Sequence, residues 1–466
     1  MVFSSPVFLF YFFPVCLILY FISILFKNIK ISNICLLIFS LLFYSYGSRE
    51  FLPILLISII LNYILSILIE YSANDKIRFK FLLVALILDL GLLFVFKYLN
   101  LFSKYLFWLS EPTNIKLPIG ISFYTFQVMS YVIDVYRKKV KHCSNIFDFA
   151  LFTMLFPQLI AGPIVRYSDI EKELKFRTVS FDSFSLGLKR FMVGFIKKIL
   201  FANAMGKIVD IAFSQLGYYK MGPLLSILIL ICYTMQIYLD FLAYSDMAIG
   251  IGQIFGFKFP ENFNMPFVSK SISEFWQRWH MTLGTFFRDY VYIPLGGSRK
   301  GIVRTCINLT IVFALSGFWH GANFNFLFWG LYNAFFLVIE RLFRKKVKIP
   351  DTLCIIYTFI VWNIGMILFR AENLYQFRLF LSNFLGEIKL NVAARTLISE
   401  IFNPYFGICF VISLLYLTPF FDKIKGKFKG LWVFNMIEDL LVVLLFIYAV
   451  IEMITNGFNP FIYFRF

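Results

Sequence analysis

The 466 residues are 60% hydrophobic and 21% aromatic, only 15% are charged, and the mean hydropathy is +0.79. A soluble domain averages about 45–50% apolar and about 25% charged residues, so a single water-soluble core is excluded and lipid must solvate much of this chain. The net charge of +18 would suit nucleic acid, but the basic residues fall in short clusters between apolar runs: Lys27–Lys30, Lys76–Lys80, Arg137–Lys141, Arg299–Arg304, Arg341–Lys348 and Lys423–Lys429. That is the pattern of cytoplasmic loops, and it favours a membrane topology over a nucleic-acid partner.

A helix needs about 20 apolar residues to cross the hydrocarbon. In chain order, clear spans are predicted near 6–26, 31–46, 51–70 and 80–97. The first lacks a basic leader, so it reads as a retained span and not as a cleaved signal. The stretches 117–136, 147–165, 184–213, 223–255, 303–319 and 323–340 are apolar but interrupted by Gly, Pro, Lys or Asp. Irregular backbone at membrane depth survives only where protein or a wet cavity surrounds it, so a pocket is expected in this middle third. Spans near 352–369, 404–421 and 431–453 complete an all-α, polytopic chain of about eleven crossings plus several re-entrant or interfacial helices. If Lys27–Lys30 faces the cytoplasm, the N-terminus lies outside, and counting from Lys423–Lys429 places Phe466 outside too. Arg370–Glu400 is then the longest outer loop. With no internal repeat and no separate soluble segment, 1–466 reads as one transmembrane domain: N-terminal spans 1–116, a core 117–345 and C-terminal spans 346–466.

The cysteines (Cys16, Cys35, Cys143, Cys232, Cys306, Cys354, Cys409) are scattered, mostly within apolar runs, without metal-ligand spacing or a disulfide framework. Histidine is scarce. His142 falls in the basic loop beside Cys143 and reads as solvated. His280 and His320 lie in the polar-interrupted middle third, where a histidine is costly unless partnered or working, and its near-neutral pKa suits a general base. For each histidine alone, a satisfied core residue is an equal reading. His320 is flanked by small residues in Ser316-Gly317-Phe318-Trp319-His320-Gly321-Ala322-Asn323, which permit close approach of a substrate and of neighbouring helices. His280 ends Ser273-Glu274-Phe275-Trp276-Gln277-Arg278-Trp279-His280, and helical spacing over 273–290 predicts an amphipathic helix with Trp276 and His280 on one face. Gly296-Gly297 with Ser298, Arg299 and Lys300 makes a basic turn able to favour phosphate, though an ordinary inside loop explains it as well.

Together with further blocks, these segments resemble the membrane-bound O-acyltransferase superfamily, in its bacterial alginate and peptidoglycan O-acetylation branch. The blocks are Met1–Ser5, Leu117–Gln127, Phe156–Tyr167, Asp240-Phe241 with Tyr244–Ala248, Trp279-His280, Tyr292–Gly297, Trp319–Gly321 and Asn459–Phe466. The resemblance runs end to end. It implies a ring of helices around a thinned centre, where a tunnel joins a cytoplasmic thioester to an outer funnel. It also places His320 at the position of the catalytic histidine and His280 at that of the second histidine.

The implied activity is transfer of an acetyl group from a cytoplasmic thioester, acetyl-CoA, across the membrane for O-acetylation of a cell-envelope polysaccharide, peptidoglycan or an alginate-like polymer. No bound cofactor is expected. A periplasmic esterase-like acetyltransferase would complete the transfer, and the chain would sit in the bacterial inner membrane. The chemistry agrees: a sugar hydroxyl needs a base to remove its proton, worth roughly 10²–10⁴-fold, and a buried site suppresses hydrolysis of the thioester. Asp240, Tyr244, Ser245, Asp246, Trp276, Trp319 and Asn323 are the candidate substrate-binding residues, with Gln158 and Arg166 behind them. For Asp240 and Asp246 a structural bond between helices is the competing reading. The alternatives are a D-alanyl transferase for teichoic acid fed by an acyl carrier protein and, in another class, a transporter, since broken helices with mid-depth polar residues occur there too.

Overall fold

The computed structural model describes residues 1–103, 115–214, 216–218, 221–343, 349–386, 392–401 and 403–460. The chain is a polytopic, all-helical membrane protein, and no strand occurs among the described residues. Parts of two sequence features, the end of the basic cluster 341–348 and the last six residues of the terminal block, lie outside the described residues, as do 387–391 of the expected outer loop.

Among the described residues, seven helical stretches are long and apolar enough to cross a bilayer: Phe8–Leu25, Ile29–Tyr71, Asp75–Ser103, Gly222–Ile254, Gly301–His320, Phe324–Phe343 and Asp351–Arg370. The bent pair Pro404–Tyr416 and Phe420–Lys427, turning by 73°, makes an eighth if counted as one span. Ile29–Tyr71 contains two 20-residue helices, Ile29–Ser48 and Leu52–Tyr71, joined by a short 3₁₀ turn at Arg49–Phe51. At about 1.5 Å per residue each is as long as the hydrocarbon is thick.

Local chemistry sets the helix ends. Asn28, Asn74, Asn145 and Asn403 each accept a hydrogen bond from the backbone N–H two residues on, satisfying a donor that has no partner within the helix. Pro14, Pro53, Pro157 and Pro404 occupy first-turn positions, where their missing N–H costs nothing.

The chain divides into two compact units. The first, Met1–Phe191 with Ser245–Glu261, packs an aromatic core of Phe3, Phe8, Phe12, Phe43 and Phe156. Some of its polar groups pair across the chain. Asn62 donates to Asp89 at 2.9 Å, and Arg177 donates to the Tyr20 hydroxyl at 2.9 Å. His142 is not the solvated loop residue expected: Glu70 lies 3.1 Å from its Nδ1 and also accepts its backbone N–H, and Tyr71 packs on the ring. Gln158 is fully buried, its amide donating to the Phe152 carbonyl, and the Arg166 N–H is accepted by Asp169 at 2.9 Å.

The second unit, Met192–Tyr244 with Asn262 onward, carries both middle-third histidines. Four of its helices frame them: α1 (Gly222–Ile254, up to Tyr244 in this unit), α2 (Gly301–His320), α3 (Phe324–Phe343) and α4 (Asp351–Arg370). α2 and α3 form a tight hairpin because glycines face each other. A Cβ on Gly317 would stand 2.2 Å from the Phe326 carbonyl oxygen, and one on Gly330 would stand 2.2 Å from that of Phe313. Small residues here let two backbones meet, the arrangement that packs helices when lipid offers no hydrophobic drive.

Candidate functional site

The segment that delivers His280 is a loop that enters beside the α2–α4 helices and turns back. It begins at Lys270, whose ammonium pairs with Asp351, the first residue of α4. The short helix Ile272–Arg278 follows, its first-turn N–H groups at Ile272 and Ser273 donating to the Glu340 carboxylate at 2.7 and 3.0 Å. An anion on a helix N-terminus satisfies orphan donors and complements the helix dipole. The loop leaves beside the start of α2, where Asn308 holds the Gly297 carbonyl at 2.9 Å and Arg304 reaches that of Leu295. At its tip the His280 ring lies 6.1 Å from that of Trp319. Asn308 to Trp319 is eleven residues, so the tip stands roughly 16 Å further along α2 than the loop's exit.

The amphipathic helix expected over 273–290 is therefore interrupted. It stops at Arg278, Trp279 is extended, His280 takes φ 44 in the left-handed region, and a new helix starts at Met281. The cause is a neighbouring strand of chain. The Arg278 carbonyl accepts the Asn264 N–H and the Asn262 carbonyl accepts the Met281 N–H, both at 2.9 Å. These two bonds hold the chain extended where side-chain periodicity alone would continue the helix. Trp276 and His280 consequently do not share a helical face.

Asn262 also fixes the imidazole. Its Oδ1 lies 3.0 Å from His280 Nδ1 and accepts from the Thr282 N–H and hydroxyl at 3.4 and 2.9 Å. A backbone N–H can only donate, so that Asn262 atom is the oxygen, and neutral His280 carries its proton on Nδ1 with the Nε2 lone pair free of it. Phe241 of α1 packs edge-on against the ring at 4.6 Å.

His320, the last residue of α2, is buried and enclosed by aromatic rings: Trp319 at 5.0 Å, Trp329 of α3 at 5.3 Å and Phe369 of α4 at 5.3 Å. Trp319 connects the two histidines, its ring lying 5.0 Å from that of His320 and 6.1 Å from that of His280. Beyond Trp329, the indoles of Trp276 and Trp362 continue the wall, at 5.5 Å for Trp276 to Trp329 and 5.9 Å for Trp276 to Trp362. The Nε1–H groups of these three indoles are buried without a hydrogen-bond acceptor. Buried indole N–H groups ordinarily find a partner, so three without one in a single wall depart from the usual pattern.

Thus His280, His320, Trp276 and Trp319 come together. Asn323 lies three residues past His320 and donates to the Glu372 carbonyl, fastening the α2–α3 turn to the end of α4. Asp240 and Tyr244 are buried on α1; Asp240 forms a 2.8 Å ion pair with Lys198, which sits in the π-helical turn Lys197–Ala202. Ser245 and Asp246 belong to the first unit, where Asp246 is held by Arg190 at 2.9 Å alongside Glu261. Sequence reasoning did not single out Asn262, Trp329 or Trp362. Trp329 stood in a visible Phe-Trp-Gly block, but Trp362 lies in an apolar run indistinguishable from any other span.

The sequence was compared with known proteins. Residues 129–377 match the family model described as MBOAT, the membrane-bound O-acyltransferase family. The chain is 36% identical to a probable alginate O-acetylase of Pseudomonas putida over 498 aligned positions, covering all of both chains. It is 34% identical to a peptidoglycan O-acetyltransferase of Helicobacter pylori, over 80% of this chain and 78% of that one. A teichoic acid D-alanyltransferase of Bacillus subtilis is 31% identical over 50% of this chain and 61% of its own length.

Proposed function

Given that this chain belongs to the membrane-bound O-acyltransferase family, we propose that it takes an acetyl group from acetyl-CoA on the cytoplasmic side and passes it across the inner membrane for O-acetylation of an envelope polysaccharide. The acceptor is peptidoglycan or an alginate-like polymer, with both termini periplasmic and an esterase-like periplasmic protein as partner. In this reading the whole chain works as one domain around a tunnel. The observation that supports the proposal is that His280 and His320 both lie against Trp319, beside three buried indole donors without acceptors.

His320 acts as general base. It accepts the proton of the acceptor hydroxyl as that oxygen attacks the thioester carbonyl carbon; the carbon–sulfur bond then breaks and the thiolate leaves with the proton His320 returns. Base catalysis of this kind is worth roughly 10²–10⁴-fold. The carbonyl oxygen gains charge during attack, and we assign the Trp329 N–H, on the ring beside His320, as the donor that meets it. His280, held by Asn262 through Nδ1, orients the thioester or His320. Trp276 and Trp319 wall the acyl group off from water. Asp240, Tyr244 and Asn323 are assigned to pocket lining and support.

His320→Ala should give a folded, membrane-inserted protein that transfers no radiolabelled acetyl to polymer. A folded His320→Ala variant with wild-type acetylation would refute the assignment. D-alanyl transfer from a carrier protein ranks second, because the D-alanyltransferase match spans half of this chain whereas the alginate O-acetylase match spans all of it. Release of free CoA by vesicles given acetyl-CoA favours the first reading, and a requirement for a charged carrier protein favours the second.

A further inference from the structure

The second unit holds a cleft of about 320 Å³ that none of the preceding chemistry uses. Asn203, Lys207, Asn403, Tyr405, Glu452 and Asn456 supply its polar lining. We propose that it is a saccharide subsite, holding a sugar unit of the acceptor polymer away from the reacting one. The proposal rests on the reading of the acceptor as a polysaccharide.

Three observations put the cleft on the outer side. Asn403 caps the start of helix Pro404–Tyr416, and Glu452 and Asn456 lie at the end of helix Trp432–Thr455. The basic run Lys423–Lys429 between those helices marks their other ends as cytoplasmic. Arg370, at the end of α4 opposite the basic cluster that precedes that helix, pairs at 3.0 Å with Asp210, one turn from Lys207 on helix Asn203–Ser214. The same end of α4 carries Phe369, which packs on His320. A run of direct contacts and one helical turn thus links the candidate base to the edge of the cleft.

The lining chemistry selects the ligand. Asparagine amides each offer donors and an acceptor, which matches hydroxyl groups that do both. The Asn403 Oδ1 is used in capping Tyr405 N–H, which leaves its NH₂ to reach outward. Asn203 Nδ2 donates to the Phe458 carbonyl at 3.2 Å, fixing the wall. Tyr405, which is half-buried in the lining, supplies ring surface of the kind that packs against sugar C–H faces. The one lysine is offset by the one glutamate, so the cleft carries no net charge among these residues. A phosphate headgroup would call for converging cations or an Arg fork, and the lining has neither.

The extended acceptor is what gives such a subsite a purpose. Binding energy from units remote from the reacting hydroxyl can be used to orient that hydroxyl against the thioester. The test uses the purified full chain in nanodiscs, with a β-1,4-linked N-acetylglucosamine tetrasaccharide and a mannuronate tetrasaccharide as probes in equilibrium titrations. Wild type should bind at least one probe. Asn456→Trp, which fills the cleft from an exposed position, should weaken it at least ten-fold, and Glu452→Leu about ten-fold for loss of a charged hydrogen-bond partner. Lys207→Ala, also exposed, serves as a second variant should Asn456→Trp unfold early. Binding of neither probe by wild type, or equal binding by wild type and a folded Asn456→Trp, overturns the subsite, as does loss confined to binding of phosphatidylglycerol. Acetyl transfer is measured separately in wild type. Probe binding that depends on Asn456 in a protein that transfers no acetyl would keep the subsite and refute the proposed activity.

Discussion

Lys198 and Asp240 stand 2.8 Å apart with side chains 3% and 2% exposed, so their charges have almost no water to share. At an effective dielectric of 20 their attraction is about 6 kcal/mol, set against desolvation of several kcal/mol for each ion. The net worth of the pair is small, whereas leaving one charge alone is not. Lys198→Ala or Asp240→Ala should each destabilise by about 3–5 kcal/mol, and the matched apolar pair Lys198→Met with Asp240→Leu should recover most of that loss. The measurement is denaturant unfolding of the purified chain in mixed micelles, as a double-mutant cycle, with acetyl transfer followed in parallel. Single variants within about 1 kcal/mol of wild type, or a double variant as unstable as the sum of the singles, would refute the reasoning. The cycle also separates the two roles open to Asp240: a stable but inactive double variant assigns it to substrate, and a stable, active one assigns it to the scaffold. Lys198 lies in a π-helical turn, a local distortion that often accompanies function, and donates to the Pro460 carbonyl as well.

Gly317→Ala should destabilise by about 1–3 kcal/mol and cost activity out of proportion to its stability effect, since the α2–α3 approach would have to open beside His320. Unfolding midpoints and transfer rates check this, and a variant unchanged in both would contradict the close approach. Trp329→Phe keeps an aromatic wall but removes the N–H. If that group meets the developing oxyanion, kcat should fall about 10²–10³-fold with KM for the donor little changed. A fall in KM alone, or no effect, would leave Trp329 as wall only.

Much of the fold was legible because lipid imposes a simple rule. Long apolar runs had to be helices, and the runs at 303–319, 323–340 and 352–369 coincide closely with Gly301–His320, Phe324–Phe343 and Asp351–Arg370. The glycine interruptions did not mark breaks, since Gly317 and Gly330 lie inside unbroken helices and serve helix approach; at Lys197–Lys198 the chain does distort, into a π-helical turn that carries the buried Lys198–Asp240 pair. Pairings across the chain were not legible. Nothing local connects Asp240 to Lys198, Asp246 to Arg190, or His142 to Glu70, because each partner is 42 to 72 residues away and chosen by packing. Trp362 was hidden for a related reason: within an apolar span, periodicity cannot say which indole N–H will be left without an acceptor.

His280 illustrates how the two kinds of information compete. Its neighbours from 273 to 290 carry a helical pattern, and a helix would have been the cheaper local choice, since a non-glycine residue in the left-handed region costs roughly 1–2 kcal/mol. The chain takes that cost at the residue expected to do chemistry, and the compensation is visible: two backbone bonds to Asn262 and Asn264, and a side-chain oxygen that fixes the imidazole proton on Nδ1. Strain of this sort persists only where surroundings over-determine it, which is characteristic of sites whose geometry matters more than their stability. With the helix broken at Trp279 and His280, the His280 ring lies 6.1 Å from that of Trp319 on α2, so the nearness of the two histidines goes with the loss of the helix and not with its pattern.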